Sequence, residues 1–139
     1  MKDPKAFVEK SIVQIQEQIP EPAKAIIAVS GGGTISRSTD GSTWETYEAR
    51  PGDTALYRLD QAVFNGSRWV VVGSRNAGGA ESVDVVVTLY SADGLVWEIG
   101  AAGISGELHG VTWGNGRFVT VGEVDIGEAT NVSLVLTSP

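Results

Sequence analysis

Residues 38–44 read Ser-Thr-Asp-Gly-Ser-Thr-Trp and residues 91–97 read Ser-Ala-Asp-Gly-Leu-Val-Trp, so the matched positions lie 53 residues apart. An Asp-Gly pair between strand-like residues predicts a hairpin turn. Gly there can take a positive φ, and the Asp carboxylate can accept backbone N–H groups across the turn. The Trp that closes each copy is placed to cover the hairpin with its ring. The repeat therefore predicts these structural turn residues: Ser38, Asp40, Gly41, Trp44, Ser91, Asp93, Gly94 and Trp97.

A second element also occurs twice, at residues 62–73 and at residues 111–122. Each copy has an Asn-Gly pair between two apolar runs, and an aromatic residue, Trp69 or Phe118, opens the second run. Asn-Gly between apolar strands is a strong signal for a β-hairpin. The apolar run at residues 26–29 resembles the second half of this hairpin, so the chain contains further strands before the first Asp-Gly turn.

Together the two elements predict an all-β, antiparallel fold. If the strands of one repeat are named A to D, the Asn-Gly turn joins A to B and the Asp-Gly turn joins C to D. The chain then reads B-C-D, A-B-C-D and A-B-C, which is ten strands. We therefore expect a repeat domain at residues 23–139, whose first unit lacks its A strand and whose last unit lacks its D strand.

Residues 1–22 predict one short N-terminal helix followed by a Pro-rich spacer. Asp3 and Pro4 suit the start of a helix, and Pro20 and Pro22 end it. The apolar stripe of this helix consists of Val8, Ile12, Ile15 and Ile19, with spacings of four, three and four residues. Because so short a helix is marginal alone, it must pack on its own β-domain or on a copy or partner. Both alternatives are open.

Composition excludes several classes of function. The chain of 139 residues carries a net charge of −7 and has a pI near 4.6, which disfavours nucleic acid as a partner. It contains no Cys, so disulfide scaffolds, thiolate metal sites and cysteine catalysis are excluded. The N-terminal residues lack the apolar region of a signal peptide, and no run is long enough for a membrane span. We therefore expect a soluble chain with no membrane partner and no cofactor.

Few residues suggest chemistry. His109 is the only histidine, and without an acidic partner of evident spacing it is expected to be a strand-end side chain. The loop at residues 123–128 has carboxylates but lacks the dense pattern of a calcium site, so we expect neither metal binding nor catalysis there. The four Trp residues could stack on sugar rings, but three of the four lie at matched positions of the repeats, which favours packing in the core.

The turns at residues 38–44 and 91–97 resemble the Asp-box of the bacterial-neuraminidase-repeat β-propeller families, and the 62–73 element is similar to blade repeats found in such proteins. The resemblance implies about two and a half propeller-like blades. It implies peripheral, structural roles for Asp40 and Asp93. It also raises sialidase-type hydrolysis, which needs an arginine cluster, a Tyr-Glu pair and an acid/base Asp. Fewer than three blades leave no complete axial pocket, so we do not expect an enzyme.

Propellers close with ~4–8 blades, so we expect this chain to assemble as a homo-oligomer or with a partner protein that completes its open blades. The alternative is that the blades stack as an open sandwich capped by the N-terminal helix. The predicted function is a non-enzymatic structural or binding module. The resemblance to small blade-repeat proteins implies a component of a bacteriophage virion, in the tail, neck or capsid surface. The alternative is a lectin-like, carbohydrate-binding module with a glycan ligand. A sialidase-like fragment is the third hypothesis.

Overall fold

The computed structural model describes residues 25–79, 82–127 and 132–138. In these residues the fold is all-β and every strand pairing is antiparallel, which confirms the predicted class. The strands are β1 (Ile26–Val29), β2 (Thr34–Ser38), β3 (Glu45–Glu48), β4 (Leu56–Phe64), β5 (Trp69–Asn76), β6 (Val85–Ser91), β7 (Glu98–Gly114), β8 (Arg117–Val124) and β9 (Val132–Thr137). The predicted N-terminal helix, with Val8, Ile12, Ile15 and Ile19, lies outside the described residues.

The strands form three consecutive units. Unit 1 is the three-stranded sheet β1-β2-β3. Unit 2 is β4-β5-β6 together with residues 98–105 of β7, which pair with β6. Unit 3 is residues 106–114 of β7 with β8 and β9. Strand β7 therefore belongs to two units and links them into one six-stranded order, β4-β5-β6-β7-β8-β9.

Strand β7 corrects the predicted strand count from ten to nine. The expected D strand of unit 2 and A strand of unit 3 are one continuous strand of 17 residues. The corresponding strands of units 1 and 2, β3 and β4, are separated by residues 49–55. The second D-to-A connection is four residues shorter than the first, because the turn repeat spans 53 residues and the hairpin repeat 49. Gly103 and Gly106, with φ of 104° and 147°, permit the change of direction without a loop.

Unit 2 is the middle layer, and each of its faces is buried. Val71 and Val72 are adjacent in β5 and point to opposite faces, and both are buried. The core between units 1 and 2 contains Ile27, Ile35, Ala49, Tyr57, Leu59, Val71, Val87, Leu89 and Trp97. The core between units 2 and 3 contains Val72, Val86, Leu108 and Val111. Because each fully buried aliphatic side chain contributes about 1.5–3 kcal/mol, these two cores hold the layers together.

Two glycines allow neighbouring strands of a unit to approach closely. A Cβ added to Gly73 in β5 would lie 1.9 Å from the carbonyl oxygen of Arg58 in β4. A Cβ added to Gly122 in β8 would lie 2.0 Å from the carbonyl oxygen of Glu107 in β7. Both contacts occur beside matched β-bulges, between Leu59 and Gln61 and between Leu108 and Gly110. A β-bulge opposite a glycine thus occurs in both unit 2 and unit 3, and it bends the A strand of each unit.

We expect Gly73→Ala to lower the free energy of unfolding by about 2–3 kcal/mol, because the new methyl group would overlap backbone atoms. Gly114→Ala is the matched control, since no atom lies within 4 Å of its added Cβ, and its effect should stay within about 0.5 kcal/mol. Urea denaturation followed by tryptophan fluorescence measures both. Equal stabilities for the two variants would contradict the close approach.

Candidate functional site

The two Asp-Gly turns share one hydrogen-bond pattern. In the 38–44 turn, the hydroxyl of Ser38 donates to Asp40 Oδ1 at 3.0 Å and accepts from the N–H of Gly41 at 2.8 Å. The same carboxylate oxygen accepts the N–H groups of Ser42 and Thr43, each at 2.8 Å. One Asp side chain therefore satisfies two backbone donors that the tight turn leaves without strand partners.

The 91–97 turn repeats this pattern position by position. The hydroxyl of Ser91 donates to Asp93 Oδ1 at 3.0 Å and accepts from the N–H of Gly94 at 2.8 Å. Asp93 Oδ1 accepts the N–H groups of Leu95 and Val96 at 2.8 and 3.1 Å. The central glycines, Gly41 and Gly94, have φ of 78° and 77°. The two stretches of sequence that match therefore also match in backbone conformation.

The surroundings of the two turns differ, because among the described residues the 91–97 turn docks on another unit and the 38–44 turn does not. The guanidinium of Arg37 in β2 donates to the carbonyl oxygen of Asp93 at 3.2 Å. The hydroxyl of Tyr47 in β3 donates to the carbonyl oxygen of Gly94. A Cβ on Gly94 would lie 2.9 Å from Ile27 Cδ1, so the turn sits directly on unit 1.

The tryptophans that close the turns reflect this difference. Trp97 is only 4% exposed, its indole N–H donates to the carbonyl oxygen of Gly94 at 3.2 Å, and its own carbonyl accepts from Arg50 at 2.9 Å. Trp44, at the matched position, is 41% exposed. The first turn thus presents on the surface an indole that the second turn buries against a neighbouring unit.

The other two tryptophans are also placed unequally. Trp69 packs against the core between units 1 and 2, and its buried indole nitrogen has no hydrogen-bond partner among the described residues. Trp113 is 36% exposed and its ring lies 4.6 Å from that of Phe118. The expectation that all four tryptophans pack in the core therefore does not hold for Trp44 and Trp113.

Hydrogen bonds lower the pKa of both turn carboxylates. The backbone N–H groups of Thr43 and Ser42 and the hydroxyl of Ser38 lower the pKa of Asp40 to about 2. The backbone N–H of Leu95 is the main cause of the lowered pKa of Asp93. Both effects arise because the charged carboxylate is the better acceptor.

A charged cluster joins units 2 and 3 on their A strands. The bulge residues Asp60 and His109 occupy matched positions, and His109 Nδ1 lies 3.0 Å from Asp60 Oδ2. His109 Nε2 lies 3.7 Å from Glu107, and Arg58 lies 3.4 Å from Asp60 and 4.0 Å from Glu107. Desolvation, followed by a hydrogen bond with Asp84, raises the pKa of Glu107.

His109 therefore has an acidic partner that the sequence analysis missed. The sequence could have indicated this pair, because Asp60 precedes His109 by 49 residues, which is the spacing of the hairpin repeat. Chemically, Asp60 can fix the orientation of the imidazole through this contact with Nδ1. The described residues contain no group of three or more His, Asp or Glu side chains arranged to hold a metal ion. Within the same residues, no helix has the length and apolar character to span a membrane.

A groove of about 340 Å³ lies next to this cluster. Polar residues dominate its walls, which include Asn76, Asp84, Glu107, Glu123 and Asp125. Asn76 donates to Asp84 at 2.9 Å, and Asp125 accepts the N–H of Gly127 at 2.8 Å. The described part of the 123–128 loop thus uses Asp125 to form its own turn.

Comparison of the chain with protein-family models, with curated proteins and with solved structures finds no match. The geometry of the turns and of the unit faces is therefore the basis for the proposals below.

We expect Asp93→Ala to destabilise the protein by about 2 kcal/mol, because two turn N–H groups lose their acceptor and the turn shifts from its seat on unit 1. Asp40→Ala should cost clearly less, since the 38–44 turn is exposed and water can replace the carboxylate. Urea denaturation of both variants and the parent measures the difference. An equal loss from both substitutions would show that docking does not depend on the turn conformation.

The lowered pKa values also predict the response to acid. Asp40, Asp93 and Asp53 all have pKa values below the ordinary value of 3.8, so each stabilises the fold above that pH and loses this effect as the pH falls. Glu107, with its raised pKa, acts in the opposite direction. We expect the urea midpoint to fall between about pH 4 and pH 2, and to fall less in Asp40→Asn/Asp93→Asn. A midpoint that rises over this range would contradict the assignment.

Proposed function

We propose that this chain is a non-enzymatic assembly module built from propeller-like blades, which joins other copies of itself or partner proteins through its outer units. One observation carries the proposal. The 91–97 turn docks on unit 1 through hydrogen bonds, whereas the matched 38–44 turn leaves Trp44 exposed on the other side of that unit. A repeat that buries its turn at an internal interface is suited to bury the same turn at an intermolecular one.

The arrangement of the A strands supports propeller-like blades. Strand β4 of unit 2 pairs with β5 and residues 106–114 of unit 3 pair with β8, and the two A strands contact each other through side chains. Gln61 Oε1 accepts the N–H of Val111 at 2.6 Å, and Asp60 contacts His109. In a propeller, the first strands of successive blades meet in this way around the central channel, and the later strands lie farther out. Units 1 to 3 are then consecutive blades.

The role of the turn carboxylates supports a function without catalysis. Oδ1 of Asp40 and Oδ1 of Asp93 each accept one hydroxyl and two backbone N–H groups within their own turns. These hydrogen bonds hold each carboxylate in its turn and account for its low pKa. The two Asp residues therefore serve the fold rather than a substrate.

The assignment to a bacteriophage virion remains a prediction that rests on the resemblance stated above. It would gain support if neighbouring genes encode capsid or tail proteins.

A carbohydrate-binding module is the second candidate, and the exposed ring of Trp113 beside the half-buried Phe118 favours it. Trp113 is 36% exposed and its ring stands beside that of Phe118, so one aromatic face can stack on a pyranose ring. Screening the purified chain on a glycan array distinguishes this candidate from assembly.

We expect the purified chain, with a subunit mass of 14.6 kDa, to form oligomers at micromolar concentration. Multi-angle light scattering and native mass spectrometry measure the assembly mass. Burial of the exposed outer faces supplies the driving force, so added salt should not dissociate the oligomer. A strict monomer up to about 200 µM, a concentration that still detects sub-millimolar affinity, would refute self-assembly.

A further inference from the structure

We infer that the outer face of unit 3 is the seat for unit 1 of a second copy, packed head to tail in the relation that consecutive units of one chain already have. This inference rests on the proposed assembly function and names its two surfaces. The leading face is the outer side of unit 3, with Val119, Val121, Val135 and Thr137. The trailing face is the outer side of unit 1, with Ile26, Ala28, Ser36, Trp44 and Thr46.

The register of the strands shows that the leading face repeats two faces that are already covered. Val121 pairs with Val135 as Val29 pairs with Ile35 in unit 1. Val72 and Thr88 form the matched pair in unit 2.

Units 1 and 2 bury these positions under the next unit, since Ile35 and Val72 lie in the two cores. In unit 3, the same positions are open, with Val121 48% and Val135 63% exposed. A further β-unit of the same kind is therefore the natural cover for this face.

The trailing face corresponds to the side of unit 2 that packs on unit 1. Ala28 pairs with Ser36 as Val71 pairs with Leu89 in unit 2, where both residues lie in the core. The hydroxyl groups of Ser36 and Thr46 are hydrogen-bonded to each other at 2.7 Å. Because these hydroxyls already have partners, burying the trailing face would leave no polar side chain unsatisfied at its centre.

The aromatic edge of the trailing face points to the same arrangement. Trp44 occupies the position of Trp97, and it is 41% exposed whereas Trp97, whose turn docks on the preceding unit, is 4% exposed. Arg37 of unit 1 donates to that docked turn at the carbonyl of Asp93, and Thr137 stands at the matched position of unit 3. A docked second copy would thus bring the 38–44 turn against Thr137 and cover part of Trp44.

A two-fold contact between two leading faces fits less well. It would leave Trp44 and Ile26 on the trailing face exposed, with no cover for either side chain. Head-to-tail contact uses both open faces at once. Two copies supply six units, which is within the ~4–8 blades of closed propellers.

The test uses one variant on each face. Val135→Glu places a charge on the leading face and Ala28→Glu places one on the trailing face, at exposed positions in both cases. Leu56→Glu is the matched control, because Leu56 is an exposed aliphatic residue on neither face. Sedimentation equilibrium measures self-association of each variant and of an equimolar mixture of the two face variants.

We expect each face variant alone to self-associate about 100-fold more weakly, because a carboxylate would be buried without a partner. The mixture should form a 1:1 heterodimer, since each variant supplies the intact face that the other lacks. Leu56→Glu should associate like the parent. If only Val135→Glu is impaired, the contact is two-fold and the head-to-tail inference fails.

Two further outcomes separate this inference from the proposed function. Assembly that neither face variant weakens overturns the inference and leaves assembly as the function. A parent chain that stays monomeric overturns this inference and the self-assembly part of the proposed function, which then rests on a partner protein alone.

Cysteine cross-linking gives the same answer with smaller substitutions, because the chain contains no Cys of its own. A short bismaleimide should link Ala28→Cys to Val135→Cys when the two are mixed, because packed sheets lie about 10 Å apart, which is beyond the reach of a disulfide. Cross-linking of Val135→Cys alone, without any mixed product, would contradict the head-to-tail contact.

Discussion

The seal between the 91–97 turn and unit 1 is the contact on which the arrangement of the layers depends. Units 1 and 2 share no strand pairing in the described residues, so their relation rests on side chains and on main-chain carbonyls of the turn. Arg37, Tyr47 and Arg50 each donate to one of these carbonyls, and the ring of Trp97 is buried in the same contact.

These hydrogen bonds form only if the turn keeps one conformation. The carboxylate of Asp93 maintains that conformation by binding two N–H groups of the turn. The contact between units 1 and 2 therefore depends on the local conformation of the 91–97 turn.

The same local structure has different consequences at its two positions. The turns at residues 38–44 and 91–97 have equivalent hydrogen bonds, yet Trp44 is exposed and Trp97 is buried. The difference lies in the neighbours, since unit 2 has a unit before it and unit 1 has none among the described residues.

The exposure of each sheet face likewise depends on whether a neighbouring unit covers it. The central strands of unit 2, β5 and β6, are apolar on both sides because a layer covers each side, and they accordingly contain runs of three valines rather than alternating polar and apolar residues. The outer sides of units 1 and 3 are exposed versions of faces that are buried inside the molecule.

The charged cluster shows which contacts the spacing of the repeats can predict and which it cannot. His109 has no acidic partner nearby in sequence, but residue 60, one hairpin repeat earlier, is an aspartate, and the two side chains are in contact. A β-bulge at each of these positions turns the side chain toward the neighbouring A strand. The spacing could have indicated the pair, because equivalent residues of stacked units lie close in space. The distances to Glu107 and Arg58 could not be derived in this way. They depend on the relative rotation of two sheets, which the side chains in the core between units 2 and 3 set.

By itself, the sequence determined the antiparallel all-β class, the Asn-Gly hairpins and the two Asp-Gly turns, because these depend on the φ preference of glycine and on hydrogen bonds within a few residues. It also indicated the order of strands from the spacing of the repeats. Only the tertiary structure decided that residues 98–114 form one strand, that the 91–97 turn docks while the 38–44 turn does not, and which faces remain open. These outcomes depend on contacts between residues about 50 positions apart, and local preference carries no information about which layer lies on either side of a sheet.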